Sequence, residues 1–313
     1  MNACRHGLEL CKDYLPLRQG CRSYIEMNMK LSVIIPCYNG ADTIATQLEA
    51  LSNQSWSEPW EVIVSDNGST DNSMEIVRQY SNRLPNLRIV DASARVGQPY
   101  ALNAGAHASA GNALAFCDAD DEVAPAWVAA MGEALSRHDF VAGRFEMKRH
   151  NPTWMKSTHN QEVGLNTYRY PQYLLHAGSG NMGVRRSVHD ALGGFDESMP
   201  YLFDTDFCFR AQLAETKLHF VPEAVLYYRA PSDMRTIFRK ARLNGEYNVL
   251  LYKRYRPLGM PKLSFSKGVS GWLHMLRDIA TLRSRNDLAQ WAWSFAWRLG
   301  RVKGCFKYRT LAL

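Results

Sequence analysis

The stretch NALAFCDADDE, Asn112 to Glu122, constrains this chain most, because an apolar run ends there abruptly in carboxylates. Ala113, Leu114, Ala115, Phe116 and Cys117 have the length and lack of polarity of a strand buried on both faces. Asp118, Asp120 and Asp121 then emerge at its carboxyl end, the edge at which open α/β sheets bind ligands. If the extended geometry persists one step further, Asp118 and Asp120 point to one side, Ala119 and Asp121 to the other. Two hard oxygen ligands facing one cavity suit Mg²⁺ or Mn²⁺ shared between protein carboxylates and substrate phosphates. The plainer reading is an acidic turn ahead of a helix.

The residues before this strand repeat one pattern. Leu31 to Pro36 (LSVIIP) is a β-branched strand, closed by a turn over Cys37, Tyr38, Asn39 and Gly40. Asp42 to Asn53 is a helix with Ile44, Leu48 and Leu51 on one face. Glu61 to Ser65 is the second strand, ending in Asp66 and Asn67, and Asn72 to Tyr80 is a helix with Ser69 or Asp71 as its cap. Leu87 to Asp91 is the third strand and Pro99 to Ala108 the helix before the opening segment. This β-α-β-α-β-α-β order predicts an α/β doubly wound, mostly parallel sheet with right-handed crossovers. Tyr38/Asn39, Asp66/Asn67 and Asp118/Asp120 all follow strands, so they line one sheet edge, as a nucleotide site requires.

The second half is less regular. Pro125 to Arg137 reads as a helix with proline in its first turn, Phe140 to Lys148 as a strand, and Asp204 to Ala214 as a helix. Leu218 to Val221 and Ala224 to Tyr228 read as two short strands. His150 to Tyr173 lacks periodicity, is rich in polar and aromatic residues, and is expected to cover a substrate. Ser232 to Tyr255 is a long basic helical region, and two amphipathic segments close the chain. Residues 1–28 read as a loose segment, 29–121 as a nucleotide-binding half, 122–228 as an acceptor-binding half, and 229–313 as a helical basic extension.

At 313 residues, 46% of them hydrophobic and 21% charged, the chain can bury one large core. Seven cysteines without zinc-type spacing, several inside buried elements, fit a reducing cytosol better than a disulfide scaffold. The first 28 residues hold no apolar h-region, and no run of about 18 apolar residues occurs, so a cytoplasmic protein is expected. The net charge of +7 is concentrated from Leu282 onward, where seven basic residues face one acid, Asp287. There Leu288, Trp291, Phe295 and Leu299 share one helical face, with Trp293 and Trp297 on another. Such a helix either caps the core or lies on an anionic membrane surface, peripheral on the cytoplasmic face. Nucleic-acid binding is not expected, because no base-reading module accompanies the charge.

Gly178 to Gly183 (GSGNMG) matches GxGxxG, yet His176 precedes it and Val184-Arg185-Arg186 follows. The dinucleotide fingerprint needs a buried strand before it and an apolar helix after it. The segment therefore reads as a backbone loop beside a bound sugar. P-loop, HExxH and GxSxG signatures do not occur, which removes support for kinase and hydrolase readings.

Taken together, VIIPCYN (Val33–Asn39), VSDNGSTD (Val64–Asp71), Arg95 and Gly97 with Asn103, CDADD (Cys117–Asp121), GGFDE (Gly193–Glu197) and Asp204-Thr205-Asp206 stand in a familiar order. From Leu31 to about Tyr228 the chain resembles the family 2 inverting glycosyltransferases of the GT-A fold. The resemblance implies that Tyr38, Asn39 and Asp66 hold a nucleotide base, Arg95 lies beside the nucleotide, and Asp118 contacts the ribose. It likewise implies Asp120 as ligand of Mn²⁺ or Mg²⁺ on the diphosphate. Pro36, Asn67, Gly97 and Asn103 complete the donor-binding set. A nucleotide-diphosphate sugar, UDP-sugar first among them, and a glycan or lipid-linked acceptor are the implied partners. Asp204 is the candidate general base, while Asp206, with Arg210 at i+4, is expected in a surface pair. The family usually places Glu before the base, where this chain has Phe203. Its processive members carry a QxxRW segment that is absent here, and Tyr227-Tyr228-Arg229 stands where a metal-contacting His is common, so Arg229 is expected to face the diphosphate. Two rivals remain: a nucleotidyltransferase on a similar sheet, and a catalytically impaired nucleotide-sugar-binding protein.

Overall fold

The computed structural model describes residues 30–84, 86–155 and 164–312; the N-terminal segment expected to be loose lies outside them. β1 (Leu31–Cys37), a run of aliphatic residues, is buried almost throughout. The chain then passes through α1 (Ile44–Ser52), β2 (Trp60–Asp66), α2 (Ser73–Gln79), β3 (Leu87–Asp91) and α3 (Gln98–Ala108) to β4 (Ala113–Cys117). β2 and β4 pair parallel to β1 on its two sides, with Cys37 level with Asp66 and Ile34 level with Phe116. β3 adds parallel to β2. The chain thus winds outward from β1 and returns across it to β4, which opens a crevice at the carboxyl ends of β1 and β4.

Beyond β4 the sheet, mostly parallel as expected, takes in antiparallel strands. β5 (Glu122–Val123), α4 (Trp127–Arg137), β6 (Phe140–Glu146) and the hairpin of β7 (Leu165–Arg169) and β8 (Gln172–Ala177) are followed by β9 (Asn181–Arg185). β9 inserts between β4 and β6, antiparallel to both. After α5 (Arg186–Ala191) and α6 (Phe203–Leu213), β10 (Leu218–Tyr227) runs parallel to β6, and β5 closes the edge antiparallel to it. The sheet is mixed and mostly parallel, in the order β3-β2-β1-β4-β9-β6-β10-β5. The two short strands expected at its end are one, with its register shifting between Val221 and Val225 around Pro222, which has no N–H to donate. α4 starts at Trp127, so Pro125 precedes the helix. α2 has no side-chain cap; Asp71 accepts from Ser73 N, and Ser69 Oγ from Asn39 N.

Strand alternation sends Val33 and Ile35 to one face, packed with Leu48, Val64, Trp127 and Met131, and Ile34 to the other, packed with Leu102, Phe116, Met182 and Phe207. The second layer also takes in the extension. Tyr255 of α7 (Met234–Tyr255) meets Phe209 edge-on at 5.0 Å. α8 (Phe265–Asp278) leads to α9 (Arg285–Tyr308), which starts at a Ser284/Asp287 capping box.

α9 does cap the core, but through an unexpected face. Ala289, Ala292, Ala296, Gly300 and Gly304 are buried, and Gly300 and Gly304 lie against α7. A Cβ on Gly245 would collide with the carbonyl of Trp297, and one on Gly300 with that of Arg242, so the backbones touch. The Leu288–Leu299 face turns outward, where Trp291 stacks on Phe295 at 5.2 Å and Trp272 of α8 covers Phe295. Among the described residues no helix is long and apolar enough to cross a membrane.

Candidate active site

β4 delivers Cys117 and then stops. Asp121 N donates to the Asp118 carbonyl in a turn, so the pleat does not continue to Asp120 as the sequence suggested. The turn carries Asp121 back towards its neighbours, and oxygens of Asp118, Asp120 and Asp121 lie within 4.8 Å of one another. Gln47, a buried polar residue on the inner face of α1, clamps the turn by donating to the Asp118 carbonyl (3.2 Å) and accepting from Val123 N (2.9 Å). From the far side Arg229 N donates to Asp121 Oδ1 (2.7 Å) and Arg229 Nε to the Asp120 carbonyl (2.8 Å). Arg229 therefore latches the turn, with its guanidinium engaged there rather than pointing freely at a diphosphate.

Burial, then the charge of Asp120, raises the Asp118 carboxyl well above the usual range; Lys240 and a 2.8 Å hydrogen bond from Gln98 oppose this. Burial and then Asp118 raise Asp121 in the same sense. Asp121 Oδ2 is buried without a hydrogen-bond partner. Three mutually repelling carboxylates, one with an orphaned oxygen, form an oxygen-only donor set that fits a hard divalent cation.

Asp204 sits in the first turn of α6 and lines, with Asp118, Gln98 and Lys240, a cavity of about 1040 Å³. Its Oδ1 accepts from Thr205 N (2.7 Å) and its Oδ2 from Ser179 N (3.4 Å), while burial raises its carboxyl. The GxGxxG look-alike runs between the acids. A Cβ on Gly180 would come within 2.8 Å of Asp118 Oδ2, and one on Gly178 within 3.8 Å of Asp204 Oδ2. The segment is therefore a loop of close backbone approach.

Among the residues expected at the donor, Asp66 holds Ser69 N with Oδ1 (2.8 Å), Asn39 Oδ1 accepts from Thr70 N (2.8 Å), and Tyr38 is largely exposed beside them. Pro36 is the level partner of Ser65 within the sheet. Two others serve the scaffold. Asn67 is buried; Nδ2 donates to the carbonyls of Ala92 (2.6 Å) and Arg95 (2.8 Å), and Oδ1 accepts from Gly97 N (2.8 Å). Asn103 pairs with Phe195 N and O at 2.8 Å each, which docks the Gly193–Glu197 segment on α3. Arg95 lies over the Tyr100 ring and pairs with Glu197 of that segment. Gly97, at φ +147°, caps α3 and aims Gln98 at Asp118.

The surface pair expected of Asp206 is buried. Its carboxylate takes Arg210 Nε (2.8 Å), Arg254 Nη1 (2.6 Å) and the Tyr255 hydroxyl (2.8 Å), facing away from the cavity. Phe203, where a Glu was expected, packs edge-on against Phe195 at 5.5 Å. Gln47, Gln98 and Lys240 are the residues sequence reasoning missed, and Gly180 lies in the loop expected beside a sugar. Asp121, expected on the opposite side from Asp118 and Asp120, instead joins them.

The sequence model described as glycosyl transferase family 2 matches residues 32–193, just over half of the chain. The chain belongs to glycosyl transferase family 2. The glycosyltransferase AglE of Haloferax volcanii is 30% identical over 198 residues, 62% of this chain and 65% of AglE. The glycosyltransferase YibD of Escherichia coli is 45% identical over 96 residues, 31% of this chain and 27% of YibD. The match thus spans between about a quarter and two thirds of these relatives. Among solved structures, the mannosyltransferase PcManGT of Pyrobaculum calidifontis, in complex with GDP-Man and Mn²⁺, has a TM-score of 0.63 at 16% identity, covering 90% of this chain and 88% of that one. TarS of S. aureus with UDP-GlcNAc has a TM-score of 0.52 at 17% identity, covering 91% and 93%. These likenesses place the mixed sheet in the GT-A fold.

Proposed function

We propose that this family 2 protein is a metal-dependent inverting glycosyltransferase. It moves a sugar from a nucleotide-diphosphate donor, first of all a UDP-sugar, to a hydroxyl of a glycan or lipid-linked acceptor. The observation that carries the reading is the convergence of Asp118, Asp120 and Asp121, with a buried orphan oxygen, beside the cavity that Asp204 also lines. Mn²⁺ or Mg²⁺, when bound by this cluster, supplies positive charge for the leaving diphosphate. Asp204 accepts the proton of the acceptor hydroxyl as its oxygen bonds to the anomeric carbon. The bond from that carbon to the β-phosphate oxygen breaks, and its electron pair leaves with the nucleoside diphosphate. Asp66 and the Tyr38–Asn39 turn take the base at the β1–β2 edge, with Gly97 and Arg95 beside the nucleotide.

Thermal stabilisation by a panel of nucleotide sugars, with and without Mn²⁺, identifies the donor, since a true ligand shifts stability by RT ln(1 + [L]/Kd). Asp120→Ala removes metal-dependent transfer. Asp204→Asn keeps donor binding while turnover falls by about 10²–10⁴-fold; full turnover in that variant would refute the base assignment. Phe203 favours one second reading, a nucleotide-sugar-binding protein without transfer, which tight donor binding with no product across an acceptor panel would establish.

The outward face of α8 supports a seat on the cytoplasmic side of a membrane. Val269, Leu273 and Leu276 are exposed there at helical spacing, near the exposed Arg277 and Arg283. Flotation with vesicles containing phosphatidylglycerol, abolished by Leu273→Glu/Leu276→Glu, tests the association; unchanged flotation would remove it.

A further inference from the structure

We infer that the helical extension builds the acceptor subsite and that this subsite takes a pyranose glycan; the inference rests on the transferase reading above and deepens it. The matched family segment ends at residue 193, yet the far wall of the cavity comes from beyond it. Asn244 lines it from α7, while Gln290, Trp293, Ser294 and Trp297 do so from α9, spaced so that one face of the helix looks inward. A pyranose offers an apolar C–H face and a rim of hydroxyls that both donate and accept. Indole rings beside carboxamides and a hydroxyl match both halves of that surface.

The wall is also preorganised. Arg301 lies 4.7 Å from the Trp297 ring centroid, and Tyr170 of the β7–β8 hairpin packs 4.9 Å from the same ring. Arg301 is itself buried and bonded to Asn248 and to the Ala312 carbonyl, which fixes the indole before any ligand arrives. Asn244 Nδ2 donates to the Lys240 carbonyl (2.9 Å), leaving its Oδ1 as an acceptor. The cavity, at about 1040 Å³, is at the upper end of the roughly 300–1,000 Å³ of small-molecule sites, so a donor sugar and an acceptor residue fit together.

Saturation-transfer NMR on the full chain, with UDP and Mn²⁺ present, tests this. The probes are the methyl pyranosides of glucose, galactose, mannose and N-acetylglucosamine, the disaccharides cellobiose and lactose, and farnesyl phosphate as a lipid comparison. Ring protons of at least one saccharide should be saturated. Its affinity should fall about three- to tenfold in Trp297→Ala, recover in Trp297→Phe, and fall in Gln290→Ala, an exposed position where folding is not at risk. If no saccharide is saturated, if farnesyl phosphate alone binds, or if Gln290→Ala and Trp297→Ala both bind as the parent does, the inference is overturned. Thermal stabilisation by UDP with Mn²⁺, read in the same samples, separates the two claims. Nucleotide binding without saccharide binding sinks the acceptor subsite only, whereas the reverse sinks the transferase reading.

Discussion

Asp66 and Asn67 are neighbours with different work. The Asp66 carboxylate keeps lone pairs beyond its bond to Ser69 N, whereas Asn67 engages its whole amide on the main chain between Ala92 and Gly97. Asn67→Ala should lower stability by about 1–3 kcal/mol, because buried carbonyls lose their donor; an unchanged urea midpoint would mean that other contacts hold this loop. Gly180→Ala places a methyl 2.8 Å from Asp118 Oδ2 and should cost transfer while circular dichroism stays native. Asp204 gives a pH prediction. Burial raises its carboxyl, and only the deprotonated form accepts a proton, so kcat should fall as pH drops through a value above the ordinary 3.8. An acidic limb at or below 3.8 would exclude Asp204 as the base.

At the scale of elements, one strand and two helices decide the site. The apolar periodicity of β1, α1, β2 and β4 was legible because each buries a continuous or one-sided apolar set. The direction of β9 was not, because a short buried strand reads the same parallel or antiparallel. That direction brings the Gly178–Gly180 loop against Asp118 and Asp204. α7 and α9 meet through small residues, the reverse of the bulky stripe that periodicity seeks. Gly300→Leu should therefore separate them and lower the melting temperature markedly, whereas Leu299→Ala, on the exposed side, should change the unfolding free energy by no more than about 0.5 kcal/mol.

For the molecule as a whole, the extension is part of the fold rather than a tail. Arg254 and Tyr255 bind the buried carboxylate of Asp206, and Arg254 also reaches Asp196 at 2.7 Å. Arg254→Ala leaves Asp206 underpaired and should cost about 3 kcal/mol, measured by chemical denaturation. A chain ending at Tyr228 should fail to fold as a soluble monomer, since it strips partners from a buried charge and uncovers Phe209.

By itself the sequence determined the α/β class, the strand-end placement of Tyr38, Asn39, Asp66 and Asp118, and the acidic cluster. Those features follow from local periodicity and chain direction. Only the tertiary structure decided that Asp121 joins Asp118 and Asp120, that Asn67 and Asn103 brace loops, that Asp206 is buried, and that α9 walls the cavity. Each of those depends on what lies opposite a side chain from a distant part of the chain. No local pattern encodes that.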